Sequence, residues 1–320
     1  MNYKPFLLFA IFFSAENLFF WIAKKYQIID IPNQRSSHDK ITIRGGGIIV
    51  WIACLIYMLT NKLNYPYFIT ATSLLAIISF WDDIRNISKR LRFATHFICL
   101  CILLFETHQF NNPLIYPFFI IIGLGILNGF NFMDGINGIT VAYSLVSMAS
   151  FLYIEKELFH FVDPELLISV FISLLVFGFY NFRSKARTFA GDVGSICIAF
   201  VFIFFQLLIF QQTQSALFLF FFVVYGVDVI YTILLRLFIG ENIFQAHRLH
   251  LFQLLKNELQ INALLVSAFF SIIQLIINIL IILLWEEPIN TQILGLILIF
   301  VCLVIFYHMI RVKIKKLITE

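Results

Sequence analysis

The sequence predicts an all-α, polytopic transmembrane helical bundle. Three observations carry that expectation. Of 320 residues, 61% are hydrophobic and only 12% charged, and the mean hydropathy is +0.93, a balance that soluble globular domains do not show. The 40 phenylalanines lie in long apolar runs, whereas a membrane β-barrel would need short alternating segments. The basic residues, finally, are confined almost entirely to one alternate set of the loops between those runs.

Taken in order, the first run covers 5–23. No small-residue cleavage site follows it, and Lys24-Lys25 comes directly after, so it reads as a retained first helix. Further runs occupy 45–61, 65–81, 93–107, 113–133, 139–154, 165–182, 193–211, 215–238, 262–285 and 291–310, eleven in all. Those at 93–107 and 139–154 fall short of the roughly 20 residues a spanning helix needs. The connections are short, with no linker or repeat, so residues 1–320 are expected to form one integral-membrane domain.

Eleven spans put the termini on opposite sides, and Lys and Arg orient them. One set of loops holds 19 of the 22 basic residues; the other has only Lys4, Lys62 and Lys156. The rule that positive loops stay inside then predicts an external N-terminus and a cytoplasmic C-terminus. The net charge of +4 is this bias, not a nucleic-acid footprint. The five cysteines fall inside apolar runs with neither zinc-ligand spacing nor a disulfide framework, and read as small core residues.

Three acidic islands interrupt the apolar runs, and carboxylates beside hydrocarbon are costly unless paired, solvated or bound to a cation. Asp82-Asp83 closes the third run and opens a loop with Arg85, Lys89, Arg90 and Arg92. Adjacent hard carboxylates suit Mg²⁺, or one serves as base; the bland reading is an acid pair neutralised by Arg85 and Lys89. Asn128, Asn131, Asp134 and Asn137 recur every third residue, a polar stripe if the helix continues, with interhelical hydrogen bonding as the bland reading. In Gly191-Asp192-Val193-Gly194-Ser195, Asp192 and Ser195 share one face of a helix N-terminus suited to diphosphate oxygens, against simple capping by Asp192. The loop carrying His247-Arg248-Leu249-His250 can bridge a diphosphate and stabilise leaving-group charge. Orientation by Lys and Arg alone brings all of these, with Arg35 to His38 and Arg44 to Gly47, to the cytoplasmic side. Asp228, eight residues before Arg236 within the ninth run, is expected to pair with that arginine.

These residues, in this order and at these span positions, resemble the polyprenyl-phosphate N-acetylhexosamine-1-phosphate transferases (the MraY/WecA-like superfamily, glycosyltransferase family 4), most of all the branch that initiates O-antigen and capsule-type polysaccharides. The likeness runs from about residue 30 to 255 over five ordered motifs. It implies transfer of a sugar-1-phosphate from a UDP-N-acetyl sugar to undecaprenyl phosphate at the cytoplasmic face of the cell membrane, with Mg²⁺ or Mn²⁺ as cofactor and a homodimeric assembly. It implies catalytic roles for Asp82, Asp83 and Asp134, metal ligation by Asp192 and Asp83, and substrate contacts from His38, Arg44, Asn131, Asn137, Ser195, His247, Arg248 and His250. Two features depart from the family pattern. Ile41 and Ile43 stand where prolines are usual, and Asn137 where many members have aspartate.

Two other classes compete with this reading. An ion-coupled transporter also keeps acids in a bundle, but nearer the membrane midplane, where only Asp228 lies. A CDP-alcohol phosphotransferase needs Asp-Gly-x-x-Ala-Arg, and after Asp134-Gly135 this chain reads Ile136-Asn137-Gly138-Ile139.

Overall fold

The computed structural model describes residues 3–32, 41–61, 63–107, 113–243, 245 and 247–319. Each of the eleven apolar runs is helical: α1 Lys4–Lys25, α2 Ile49–Thr60, α3 Pro66–Ile84, α4 Lys89–Glu106, α5 Tyr116–Met133, α6 Ile139–Tyr153, α7 Pro164–Asn181, α8 Gly191–Thr213, α9 Val223–Phe238, α11 Ala263–Leu284 and α12 Ile289–Thr319. A short helix, α10 Leu251–Gln253, continues as a π-turn to Glu258. Eight of the described helical segments are long and apolar enough to cross a membrane. The other three, α2, α4 and α6, are shorter or, in α4, carry Lys89, Arg90 and Arg92 at the start. The protein is a multi-pass helical membrane protein.

Local chemistry fixes the ends. Proline opens α1, α3, α5 and α7, where its missing N–H costs nothing. Ser88, Asp163 and Asn262 cap α4, α7 and α11 through side-chain oxygens that accept first-turn N–H groups at 2.8–3.2 Å. The expected stripe from Asn128 to Asn137 does not run on one helix. It stops at Met133, where Asp134 leaves helical backbone, and Gly138 (φ +84°) turns the chain into α6.

Helix α8 is apolar on all sides and becomes the central post: 94% of its apolar stretch is buried, against 11% for α12 at the periphery. α3 and α5 flank α8. A two-stranded antiparallel ribbon, β1 Ile29–Asp30 with β2 Thr42–Ile43, and one 3-10 turn, Gly46–Ile48, bring the preceding loop onto the start of α8. That approach is backbone on backbone, since a Cβ on Gly47 would come within 2.4 Å of the Gly194 Cα.

Candidate active site

The ribbon places Arg44. Ile43 bridges to Thr188, whose hydroxyl donates to the Ile43 carbonyl at 3.1 Å, and the Gly46 N–H donates to the Phe189 carbonyl at 2.9 Å. The Arg44 guanidinium thus stands between α3 and α8, with Nε 2.6 Å from Asp83 Oδ1 and Nη2 3.0 Å from Asp192 Oδ1. Arg92, one turn into α4, does the same on the other side: its Nη1 lies 3.0 Å from Asp82 Oδ2 and 3.6 Å from Asp192 Oδ2. Two arginines therefore cross-link three carboxylates from the ends of α3 and α8. Arg44 and Arg92 stay one-third exposed, and Asp192 17% exposed, so solvent and solutes reach this cluster.

The two adjacent acids differ in surroundings. Asp82 Oδ1 accepts the Ile87 N–H at 2.9 Å, and the side chain keeps 8% of its surface. The Asp83 side chain has no exposed surface, and its oxygens accept the N–H groups of Asp192 and Val193 at 2.8 and 3.0 Å. From α5, the Asn131 amide donates to Asp192 Oδ1 at 3.1 Å and to Ser195 Oγ at 3.3 Å. Asp134 accepts a hydrogen bond from Thr140 Oγ1 at 2.6 Å. Burial above all pushes the Asp134 carboxyl up to about 6; the Asp192 charge adds to this, while Thr140, Arg44 and the Gly191 N–H oppose it.

Asp82, Asp83, Asp192, Arg44, Asn131 and Ser195 form one cluster, with Asp134 at its edge. Asn137 is turned elsewhere: its amide donates to the carbonyls of Arg183 and Ser184, binding the α5–α6 turn to the α7–α8 loop. Asn128 donates to Leu124 of its own helix. His38 lies outside the described residues.

His247, half-buried Arg248 and buried His250 lead into α10, and His250 and Phe252 meet the end of α5. The Phe252 ring packs where a Cβ on Gly135 would be, and the Phe132 ring faces His250 at 6.3 Å between centroids. Burial, then His250 and Arg236, hold His247 down to about 4, so it is neutral at pH 7. Its ring sits 4.9 Å from that of buried His250. The expected Asp228–Arg236 pair does not form. Asp228 is buried with His250, whose Nδ1 lies 2.7 Å from its Oδ1, and accepts the Leu251 N–H at 3.1 Å. Arg236 instead donates to Glu241 and to the carbonyls of Asn242 and Ile243. The loop returning after α9 offers both residues nearer partners than each other.

Sequence reasoning took Arg92 for a general phosphate-holding base of the loop and passed over Thr140. Only the packing of α4 beside α3, and of α6 after α5, makes them partners of Asp82 and Asp134. Glu16, on α1, is fully buried next to Gly46, and neither of its carboxyl oxygens has a hydrogen-bond partner among the described residues.

Among the described residues, no three His, Cys, Asp or Glu side chains converge on one ion-sized point. Mg²⁺ does not require such a cage; it takes one or two carboxylates, with substrate phosphates and waters completing its shell. Asp192, with the Asn131 amide 3.1 Å away, is a donor set of that kind, because amide oxygen and nitrogen can exchange places by a flip. The residues present fit the ion.

Residues 65–210 match the model of glycosyl transferase family 4. The chain is 25% identical over 197 residues to a probable undecaprenyl-phosphate N-acetylglucosaminyl 1-phosphate transferase of Bacillus subtilis, covering 56% of this chain and 54% of that protein. It is 26% identical over 200 residues to an undecaprenyl-phosphate alpha-N-acetylglucosaminyl 1-phosphate transferase of Thermotoga maritima, covering 58% and 65%. It is 30% identical over 183 residues to a phospho-N-acetylmuramoyl-pentapeptide-transferase of Lactobacillus helveticus, covering 48% and 56%. The chain thus spans between half and two thirds of these curated relatives. None of them is a transporter, and the acids gather at helix ends, so the transport reading falls away.

Proposed function

We propose that this chain, a member of glycosyl transferase family 4, transfers an N-acetylhexosamine-1-phosphate from a UDP-sugar to undecaprenyl phosphate. The observation that carries the reading is the convergence of Asp82, Asp83 and Asp192 with Arg44, Arg92 and Asn131 at the ends of α3, α5 and α8. An oxygen of the acceptor phosphate attacks the phosphorus bonded to the sugar. The bond from that phosphorus to the bridging oxygen breaks, and UMP leaves with the electron pair. Two anions must meet for this, so charge neutralisation and alignment are what the protein has to supply.

Arg44 and Arg92 provide that neutralisation. Each now holds carboxylates that incoming phosphates can replace, and a guanidinium can bind a phosphate through two parallel hydrogen bonds. Asp82, the more open of the adjacent acids, orients the acceptor phosphate and takes its proton if it arrives protonated. Asp192 and Asn131 would hold Mg²⁺, which withdraws charge from the diphosphate when bound. Neutral His247, with Arg248 beside it, faces the leaving nucleotide, on a loop that buried His250 holds to Asp228. The basic loops support placing this end at the cytoplasmic face of the cell membrane, where a soluble nucleotide sugar and a lipid phosphate can both arrive.

Purified protein in detergent, given undecaprenyl phosphate, Mg²⁺ and a panel of UDP-N-acetyl sugars, should release UMP and form a lipid-linked diphosphate sugar with one of them. EDTA should stop the reaction and Mg²⁺ restore it. Release of UDP, or no nucleotide product with any donor, sinks the proposal.

A further inference from the structure

The adjacent acids Asp82 and Asp83 look interchangeable in the sequence, yet the fold treats them differently. The first turn of any helix has N–H groups without an intrahelical acceptor. At α8 the preceding residue is Ala190, which has no side chain to cap them. Asp83 supplies the missing acceptors from another helix, through the bonds to Asp192 N–H (2.8 Å) and Val193 N–H (3.0 Å). The same carboxylate takes the Arg44 Nε at 2.6 Å and has no exposed surface.

The backbone around it is shaped for this approach. Gly191 sits at φ +72°, and a Cβ there would come within 2.6 Å of Asp83 Oδ2 and 2.8 Å of the Gly45 backbone. No solute reaches Asp83 unless the start of α8 lifts away. Asp82, by contrast, has one backbone N–H and one exchangeable arginine as partners.

We propose that Asp83 is a positioning residue: it clamps α3 to the first turn of α8 from outside that helix, sets Asp192 and Arg44 in place, and neither binds the cation nor takes a proton. Asp82 and Asp192 then do what the acid pair was expected to share. The effect on turnover rests on the transferase reading above; the clamp itself does not.

The test is Asp83→Asn, which keeps the side-chain shape but sets an amide NH₂ against one of the two N–H groups. Hydrogen–deuterium exchange of peptides covering residues 191–195 should speed up about tenfold or more in this variant and stay at the wild-type rate in Asp192→Asn. Mn²⁺ binding, read by electron paramagnetic resonance, should stay within about threefold of wild type in Asp83→Asn and weaken at least about tenfold in Asp192→Asn. With the transferase assay, Asp83→Asn should lose about a hundredfold in kcat with KM for both substrates within about threefold, the split expected of a misplaced site. Unchanged exchange in Asp83→Asn, or a loss of Mn²⁺ affinity equal to that of Asp192→Asn, overturns the proposal. A wild-type protein that releases no UMP with any donor would fail the transferase reading, while exchange and Mn²⁺ binding would still decide the role of Asp83.

Discussion

Two charged networks occupy this bundle, and they are built on opposite plans. Around Asp192, carboxylates and arginines from the β2 loop, α3, α4 and α8 cross-link one another while the arginines stay one-third exposed. Around Asp228, every partner is buried. His250 and the Leu251 N–H close on the carboxylate, Tyr307 accepts from the same N–H, and Arg311 donates to Tyr307 and Thr232. The first network can trade its internal partners for a ligand. The second has nothing to trade, and fastens α12 and the histidine loop to α9. Residue type alone does not separate a site from a brace; what separates them is whether the bonds can be exchanged with something arriving from solvent.

The largest effect should come from the exchangeable network. On the transferase reading proposed above, Asp192→Asn is expected to lower turnover by about 10³-fold, since that reading sets its charge against the reacting phosphates. Its melting temperature in detergent should stay within about 2 °C of wild type, because the residue is partly solvated. Full turnover, or a collapse in stability, would erase the contrast.

Asp228→Asn should do the reverse. Leaving the buried hydrogen-bond partners of a carboxylate poorly satisfied costs about 1–3 kcal/mol, so its thermal midpoint should fall by several degrees. Turnover of the folded fraction should drop by only about tenfold, through a loosened histidine loop. An Asp228→Asn protein as stable as wild type would mean that this network is no brace.

The smallest effect tests Asp134, at the border of the exchangeable network. Its pKa of about 6 lies above the ordinary 3.8, so the fold binds its proton more tightly than the unfolded chain does. That favours folding below the ordinary pKa and is lost as pH rises through 6, leaving the ionised carboxyl a burden at pH 8. Asp134→Asn, whose side-chain oxygen can still accept from Thr140, should therefore melt a few degrees higher than wild type at pH 8, with the gap narrowing as pH falls through 6 and closing only as it nears the ordinary 3.8. A constant difference across that range would assign the shift to packing instead.

How much of this was legible beforehand follows from the range of the forces. The eleven apolar runs appear as helices because hydropathy and helix length are local properties, and the three acidic islands stood out for the same reason. Partners were another matter. Asp228 and Arg236 have helical spacing, yet His250, 22 residues on, takes the carboxylate because the loop folds back. The periodicity from Asn128 to Asn137 suggested one polar stripe, but the helix ends at Met133, and of these four residues Asn131 alone donates to Asp192. The unequal burial of Asp82 and Asp83 could not be read at all, since it depends on where α8 begins in space.

The contact between Arg44 and Asp192 joins residues 148 positions apart. During synthesis the ribbon loop and the acids of α3 emerge long before the start of α8, so the nascent chain carries Asp82-Asp83 with only part of its final partner set. Arg44 can join Asp83 early, but Asp192 arrives only after α1 to α7 have been made. The long closure costs little more entropy than a shorter one, because that cost rises only with the logarithm of loop length. Its consequence is one of timing: a chain truncated before Gly191 would leave the ribosome as an inserted helical bundle with no functional centre.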